Sequence, residues 1–188
     1  MRTTIYHLIG APGVGKYTVG KELAAITGAR LVDNHSINNV LFNVVGQDGF
    51  KPLPAEIWPR VSEIRRIVLD TIMQVSPAHL SFIFTNYIQG ENEAEYALFL
   101  ENVAVAEIRG SVFIPVLLTC DSDELMNRIG SDSRRERMKL LNPVLGRQFN
   151  EAPRFTTDHP NFIVLDVTSV EPAESARLIR DWGESRPG

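Results

Sequence analysis

Three glycines, a lysine and a threonine stand within nine residues near the N-terminus, in the order Gly10-Ala11-Pro12-Gly13-Val14-Gly15-Lys16-Tyr17-Thr18. The preceding residues 3–9 are mostly apolar or β-branched, which predicts a buried strand. The following residues 16–25 have a helical apolar pattern, and Gly28 ends it. Glycines allow backbone N–H groups to turn toward an anion, while a helix start and a lysine add positive charge. The segment therefore predicts a phosphate-binding loop, formed by Gly10, Pro12, Gly13, Val14, Gly15, Lys16, Tyr17 and Thr18.

The residue types in this loop favour a nucleoside triphosphate as the ligand. A dinucleotide-binding loop needs a glycine where Thr18 stands, and Lys16 suits the β- and γ-phosphates of a triphosphate. The usual loop continues with Ser or Thr after the lysine, and that hydroxyl ligates Mg²⁺. Here the position is Tyr17, whose phenol stands on a long rigid arm. Thr18 can still reach an α-phosphate, so nucleotide binding is expected while the direct Mg²⁺ ligand stays open.

The rest of the chain alternates apolar runs with helical patterns. Further strands are predicted at residues 30–32, 80–84, 111–118 and 161–165, and further helices at residues 36–42, 55–75, 92–109, 123–129 and 172–182. Strands that alternate with helices indicate a parallel sheet covered on both faces. Pro115 inside the fourth strand suggests an edge or a bulge, because proline has no N–H to donate to the sheet.

Size and charge exclude several classes of protein. The 188 residues fit one domain, and the net charge of −4 argues against a nucleic-acid binder with a basic stripe. The single Cys120 excludes an internal disulfide and a multi-cysteine metal site. No apolar run approaches the roughly 20 residues that span a bilayer. The first nine residues are too short and polar for a signal peptide, so a cytoplasmic location without a membrane partner is expected.

The loop and the order of elements resemble the small P-loop kinases of the shikimate kinase, gluconate kinase and adenylate kinase group. The resemblance covers nearly the whole chain as order and type of elements, with few matches at residue level. It implies a three-layer α/β/α fold whose five-stranded parallel sheet has the order 2-3-1-4-5. Within a single domain of residues 1–188, it implies an acceptor-binding region at 34–66 and a lid at 128–142. It also implies ATP as phosphoryl donor, Mg²⁺ as cofactor and a small hydroxylated acceptor.

Asp33 directly follows the second predicted strand, and ligands of such sheets bind at the carboxyl ends of strands. In the shikimate and gluconate kinases that the chain resembles, an acidic residue at this position contacts the acceptor hydroxyl or the metal. The resemblance therefore implies that Asp33 orients or deprotonates the acceptor and, with Thr18, is a candidate metal ligand. The alternative is a helix N-cap. Asn34 and His35 are candidate substrate contacts, and a purely structural hydrogen bond is the alternative for the histidine.

The third predicted strand is followed by Thr85 and Asn86, where related kinases often carry an acid. The missing acid and Tyr17 together remove two common supports for Mg²⁺, which leaves Asp33 as the carboxylate expected near the ion. Asn86 is a candidate substrate contact, with a strand-end cap as the alternative.

Arginines are concentrated in two places. Arg128, Arg134, Arg135 and Arg137 fall where this kinase group has its lid. From the family spacing, Arg128 and Arg134 are the predicted catalytic pair that stabilises charge on the transferring phosphoryl group, with a solvated helical face as the alternative. Arg60 and Arg65 fall in the acceptor region and suit a carboxylate or phosphate, while a surface salt bridge from Arg60 to Glu63 is the alternative.

Three functions follow as hypotheses. The first is an ATP-dependent kinase that phosphorylates a hydroxyl of a small molecule. The second is a nucleotide-binding sensor with little phosphotransfer, supported by Tyr17 and the missing strand-three acid. The third, a nucleic-acid-driven ATPase, would need a strand-end acid pair and a basic track. Nothing in the sequence indicates the oligomeric state or the identity of the acceptor.

Overall fold

The computed structural model describes residues 2–48, 50–51, 53–129 and 142–187, and the structural statements below concern these residues. The strands are β1 (Thr4–Ile9), β2 (Arg30–Asp33), β3 (Phe82–Asn86), β4 (Val112–Thr119) and β5 (Ile163–Asp166). The helices are α1 (Lys16–Thr27), α2 (Asn34–Phe42), α3 (Ile57–Gln74), α4 (Glu93–Arg109), α5 (Ser122–Ile129), α6 (Pro143–Glu151) and α7 (Pro172–Glu184). None of these helices is both long and apolar enough to cross a membrane.

The five strands form one parallel sheet in the order β2-β3-β1-β4-β5. The predicted fold class and strand order are therefore confirmed. The central strand β1 places its alternate residues in two different cores, because side chains along a strand point to opposite faces. Tyr6 and Leu8 pack in the core covered by α1 and α7, and Ile5 and Ile9 pack in the core covered by α3 and α4.

Pro115 lies inside β4, which pairs with β1 on one side and, from Val116 onward, with β5 on the other, so β4 is not an edge strand of the sheet. The β4–β5 pairing begins at Val116, so β5 has not yet started beside Pro115. The Phe113 carbonyl, on the same side, accepts a hydrogen bond from the Asn161 side chain at 3.0 Å. A missing N–H is therefore tolerated here, because no neighbouring carbonyl requires it.

Most boundaries differ from the sequence-based expectation by one or two residues, and two of these differences and one additional helix are described here. β3 begins two residues later than predicted, so Thr85 and Asn86 form its last residues and do not follow it. α2 begins at Asn34, immediately after β2, two residues earlier than predicted. α6 was not predicted, although Asn142 caps it by accepting from the N–H groups of Val144 and Leu145, and Pro143 opens it. An Asn-Pro pair of this kind is typical of a helix start.

Candidate functional site

The glycine-rich loop joins the carboxyl end of β1 to α1. Gly15 is the N-cap of α1 with φ of 110°, a left-handed conformation that favours glycine, and no side chain caps the helix there. A Cβ on Gly10 would lie 2.5 Å from the Leu118 carbonyl oxygen of β4, so only glycine fits this close approach. The uncapped first turn of α1 contains no acidic residue. The loop thus presents backbone N–H groups and the positive end of a helix, which suits an anion.

Lys16 folds back over this loop. Its Nζ donates hydrogen bonds to the carbonyl oxygens of Gly10 at 2.5 Å and Ala11 at 2.9 Å. The ammonium group therefore lies at the mouth of the loop, where phosphate oxygens can replace carbonyl oxygens as its partners.

A cavity of about 330 Å³ lies beside the loop. Its walls come from the loop and α1, from α5, and from the segment between β5 and α7: they include Val14, Gly15, Thr18, Arg128, Thr168 and Pro172. Thr18, which the sequence placed near an α-phosphate, lines this cavity. A volume of this size on the far side of the loop from Asp33 suits the nucleoside half of a nucleotide.

Arg128 holds three walls of the cavity together. Its guanidinium group donates to the Val14 carbonyl of the loop at 3.1 Å and to the carbonyls of Val167 and Thr168 at 2.9 Å and 3.0 Å. It also donates to the Glu124 carboxylate at 2.8 Å, and this hydrogen bond lowers the pKa of Glu124. In this geometry each nitrogen of the Arg128 guanidinium group donates to at least one protein oxygen, and its predicted role on the transferring phosphoryl group stays a prediction.

Asp33 ends β2 and is 4% exposed. The hydroxyl of Thr85 donates to Asp33 Oδ1 at 2.6 Å and accepts from the Asn34 N–H at 3.0 Å. Although Asp33 occupies the N-cap position of α2, its carboxylate makes no capping hydrogen bond. The capping alternative is therefore wrong, and Thr85 supplies the cap from the neighbouring strand. The Asp33 carboxylate therefore lies at the carboxyl end of β2, where the Thr85 hydroxyl fixes its position.

Asn86 ends β3 beside the loop, since its carbonyl accepts from the Gly10 N–H at 3.2 Å. Its side-chain amide donates to Asn34 Oδ1 at 3.4 Å. The structure thus brings Asn34 and Asn86, two of the predicted substrate contacts, together at the carboxyl ends of β2 and β3.

The other predicted substrate contacts lie elsewhere. His35 lies 3.4 Å from Asn39 Oδ1 on the same helix and packs against the Phe42 ring. Arg60 is exposed and donates to the Glu56 carbonyl at 2.8 Å, and among the described residues it forms no ion pair with Glu63. Arg65 is buried and faces α4, where it pairs with Glu101 at 2.7 Å. The expectation that Arg65 meets the acceptor is therefore not supported.

A buried polar network was missed by the sequence analysis. His7 of β1 is fully buried and hydrogen-bonds to Asn86 and Asn102, and burial together with the nearby Arg65 charge lowers the pKa of His7 to about 3. A histidine within an apolar strand and an asparagine in the middle of a helix are the signals that could have found it.

The predicted lid lies mostly outside the described residues, and so do Arg134, Arg135 and Arg137. Within the described parts of the chain, no three His, Cys, Asp or Glu side chains lie close enough together to hold a metal ion by themselves. Mg²⁺ in nucleotide sites takes most of its ligands from phosphates and water, so a single carboxylate such as Asp33 is compatible with it.

No protein-family model and no curated protein sequence matches the chain. Solved structures do match over nearly the full length. A gluconokinase from Sinorhizobium meliloti has a TM-score of 0.62 at 15% identity, covering 98% of this chain and 94% of that chain. A sugar kinase from a Janibacter species has a TM-score of 0.59 at 17% identity, covering 98% and 96%.

A shikimate kinase from Acinetobacter baumannii, solved with shikimate, has a TM-score of 0.51 at 17% identity, covering 96% of this chain and 92% of that chain. These three structural neighbours are small-molecule kinases, and at these identities the similarity concerns the fold. The chain has the fold of the shikimate and gluconate kinases.

Proposed function

We propose that the protein is a kinase that transfers the γ-phosphoryl group of ATP to a hydroxyl of a small molecule. The observation that carries this proposal is the position of Asp33. Its buried carboxylate ends β2, and Asn86, on the next strand, is hydrogen-bonded to Gly10 at the start of the Lys16 loop. A nucleotide in the loop and an acceptor above β2 and β3 would therefore be neighbours, as in-line transfer requires.

In this proposal the nucleotide binds on one side of the loop and the acceptor on the other. The backbone N–H groups of the loop and Lys16 hold the phosphates. Thr18 lies where the cavity meets the loop and contacts the α-phosphate, so the nucleoside itself is held by the other cavity walls. On the other side, Asp33 accepts a hydrogen bond from the acceptor hydroxyl and takes its proton as the oxygen bonds to phosphorus and ADP leaves. Asn34 and Asn86 supply neutral hydrogen-bonding groups beside that hydroxyl.

Mg²⁺ fits this site when it is held by phosphate oxygens and water, with Asp33 as the nearby carboxylate. The ion would neutralise charge on the β- and γ-phosphates. Tyr17 replaces the usual hydroxyl ligand, and this observation supports the second candidate, a nucleotide sensor with little phosphotransfer.

The test measures ADP release with Mg²⁺ and ATP against a panel of hydroxylated acceptors: sugars, sugar acids, shikimate-like acids, nucleosides, and aminocyclitol and phenicol antibiotics. Stimulation of ADP release by one class supports the kinase. Nucleotide binding without stimulation by any class favours the sensor.

The loop assignment is tested separately by Lys16→Ala, with Lys21→Ala as the control because Lys21 is an exposed lysine of the same helix. We expect Lys16→Ala to abolish the thermal stabilisation by ATP, since the triphosphate loses its charged partner. Lys21→Ala should keep it. Equal stabilisation of both variants would contradict the loop assignment.

A further inference from the structure

The polar network around His7 runs from the protein surface to the proposed acceptor site. Glu101 on α4 is half exposed and pairs with Arg65. Arg65 Nη2 donates to Asn102 Oδ1 at 3.1 Å, and Asn102 Nδ2 lies 3.3 Å from His7 Nδ1 and 3.2 Å from His7 Nε2. The network continues from His7 to Asn86 and then to Asn34, whose backbone begins α2 beside Asp33.

Arg65 determines the orientation of the Asn102 amide in this network. A guanidinium group has donors and no acceptor, so Asn102 must turn its oxygen toward Arg65 and its amide nitrogen toward His7. Asn102 Nδ2 is almost equally far from the two ring nitrogens, so the other neighbour of the ring identifies its donor. Nε2 lies 3.0 Å from Asn86 Oδ1, an oxygen that can only accept, so Nε2 donates to it and Nδ1 accepts from Asn102. Asn86 is left with its amide nitrogen directed at Asn34 Oδ1.

We propose that His7 is a positioning residue for the acceptor site, because its Nε2–H holds the Asn86 amide in the orientation that directs the amide nitrogen at Asn34. Asn102, oriented by Arg65, holds the ring from its other side. The Asn34 amide nitrogen makes no hydrogen bond within the described part of the chain. With its oxygen engaged by Asn86, Asn34 presents that nitrogen as a donor to an oxygen of the acceptor. This inference rests on the proposed kinase function and goes beyond it by assigning a role to a residue that touches neither substrate.

Aromatic rings and a buried arginine around His7 fix the position of the imidazole ring and keep it neutral. The Phe99 ring stacks on it at 6.1 Å between centroids with an angle of 17°, and Phe113 lies at 6.1 Å on a tilted plane. The charged groups that face it are Arg65 and, through Arg65, Glu101. The buried cation and the loss of hydration both disfavour a second proton on the imidazole, so the neutral ring with one donor and one acceptor is retained.

The first test does not depend on an acceptor. Long-range ¹H–¹⁵N NMR of the imidazole in the full chain should show a neutral Nε2–H tautomer for His7 from about pH 8 to 5, the range in which ordinary histidines titrate. An Nδ1–H tautomer would require Asn86 to be reversed and would overturn the proposal, as would titration of His7 within that range.

The second test uses the panel acceptor that stimulates ADP release. His7→Leu removes both hydrogen bonds and should raise the KM for the acceptor about tenfold, the size expected for one lost neutral hydrogen bond, with the KM for ATP unchanged. His7→Gln should restore most of the loss, because its amide can accept from Asn102 and donate to Asn86. Equal impairment of both variants, or parallel changes in both KM values, would overturn the proposal.

Thr3→Val is the matched control. Thr3 precedes β1 at the opposite end of the strand, is 7% exposed and hydrogen-bonds to Ser111. The Thr3→Val substitution should lower the free energy of unfolding without changing the KM for the acceptor. A change in that KM would show that the effect of His7→Leu comes from general destabilisation of the fold. If no panel acceptor stimulates turnover, the kinase proposal fails, while the tautomer measurement still decides the orientation of the network.

Discussion

At the scale of single residues, the hydrogen-bond partners of a side chain determine its structural role more than its residue type does. Asp33 could have capped α2, yet Thr85 of the neighbouring strand provides the cap and also donates to the Asp33 carboxylate. Asn38, one helical turn after Asn34, is 5% exposed, and its Oδ1 has no hydrogen-bond partner among the described residues. Both residues can therefore be tested by single substitutions.

For Asp33→Asn we expect unchanged ATP binding and a fall in turnover of about 10²-fold or more, because an amide cannot take the proton of the acceptor hydroxyl. The measurement is kcat with the panel acceptor beside thermal stabilisation by ATP. The Thr85 hydroxyl can still donate to the amide oxygen, which preserves the local structure. Normal turnover in this variant would remove Asp33 from the mechanism.

For Asn38→Leu we expect a free energy of unfolding that is equal or higher by about 1 kcal/mol, since a buried acceptor without a partner costs free energy. Urea unfolding measures this change. The alternative is that Asn38 meets the acceptor, in which case the KM for the acceptor rises while stability stays the same or increases. A clear loss of stability would contradict the absence of a partner.

At the scale of elements, α5 is joined to the loop and to the segment before α7 through Arg128. These three pieces of chain are far apart in sequence, and their contacts at the cavity converge on one guanidinium group. Arg128 therefore contributes to the shape of the cavity that we assign to the nucleoside, together with the hydrogen bond from the Asp121 N–H to the Thr168 hydroxyl. Thr168, which lines this cavity, also hydrogen-bonds to Asp166, the last residue of β5. The Thr168 hydroxyl and N–H thereby lower the pKa of Asp166.

For Arg128→Met we expect the KM for ATP to rise about tenfold or more with a smaller change in kcat, because charge-assisted hydrogen bonds to two walls are lost. Steady-state kinetics with varied ATP measure this. Arg177→Met is the control, since Arg177 forms an exposed ion pair with Glu174 on α7 and should have little effect. A fall in kcat without a change in KM would instead support the predicted role of Arg128 on the transferring phosphoryl group.

At the scale of the whole molecule, the buried network links proton binding to folding. The pKa of His7 is about 3 in the folded protein and near 6.5 when unfolded. Between these values the unfolded chain binds one proton more than the folded chain, so the free energy of unfolding falls as the pH falls. The stabilisation is fully present above about pH 6.5 and is lost progressively down to about pH 3.

We therefore expect the difference between wild type and His7→Gln to depend on pH, with wild type losing about 1.4 kcal/mol per pH unit more than the variant within that window. Glutamine keeps the hydrogen bonds and does not titrate. Urea unfolding at several pH values measures the two slopes. Parallel slopes would show that His7 binds its proton equally well in both states.

The architecture could be predicted because it follows from local patterns. The apolar run before Gly10, the lysine after Gly15 and the alternation of strands and helices each depend on residues a few positions apart, and the resemblance to P-loop kinases supplied the strand order. The position of Asp33 at the end of β2 could be predicted for the same reason, since it follows a recognisable strand pattern. The start of α6 was missed although Asn142 and Pro143 carried a local signal.

The partners of the buried polar groups could not be predicted in this way. His7 meets Asn102 across 95 positions and Asn86 across 79, and Arg65 meets Asn102 across 37. The sequence shows a histidine in a strand, an arginine and an asparagine in helices, and no local rule that pairs them. Which donor reaches which acceptor depends on how α3 and α4 pack on β1, so the folded sheet and its helices decide it, while short-range chemistry along the chain already determines the loop and the strand ends.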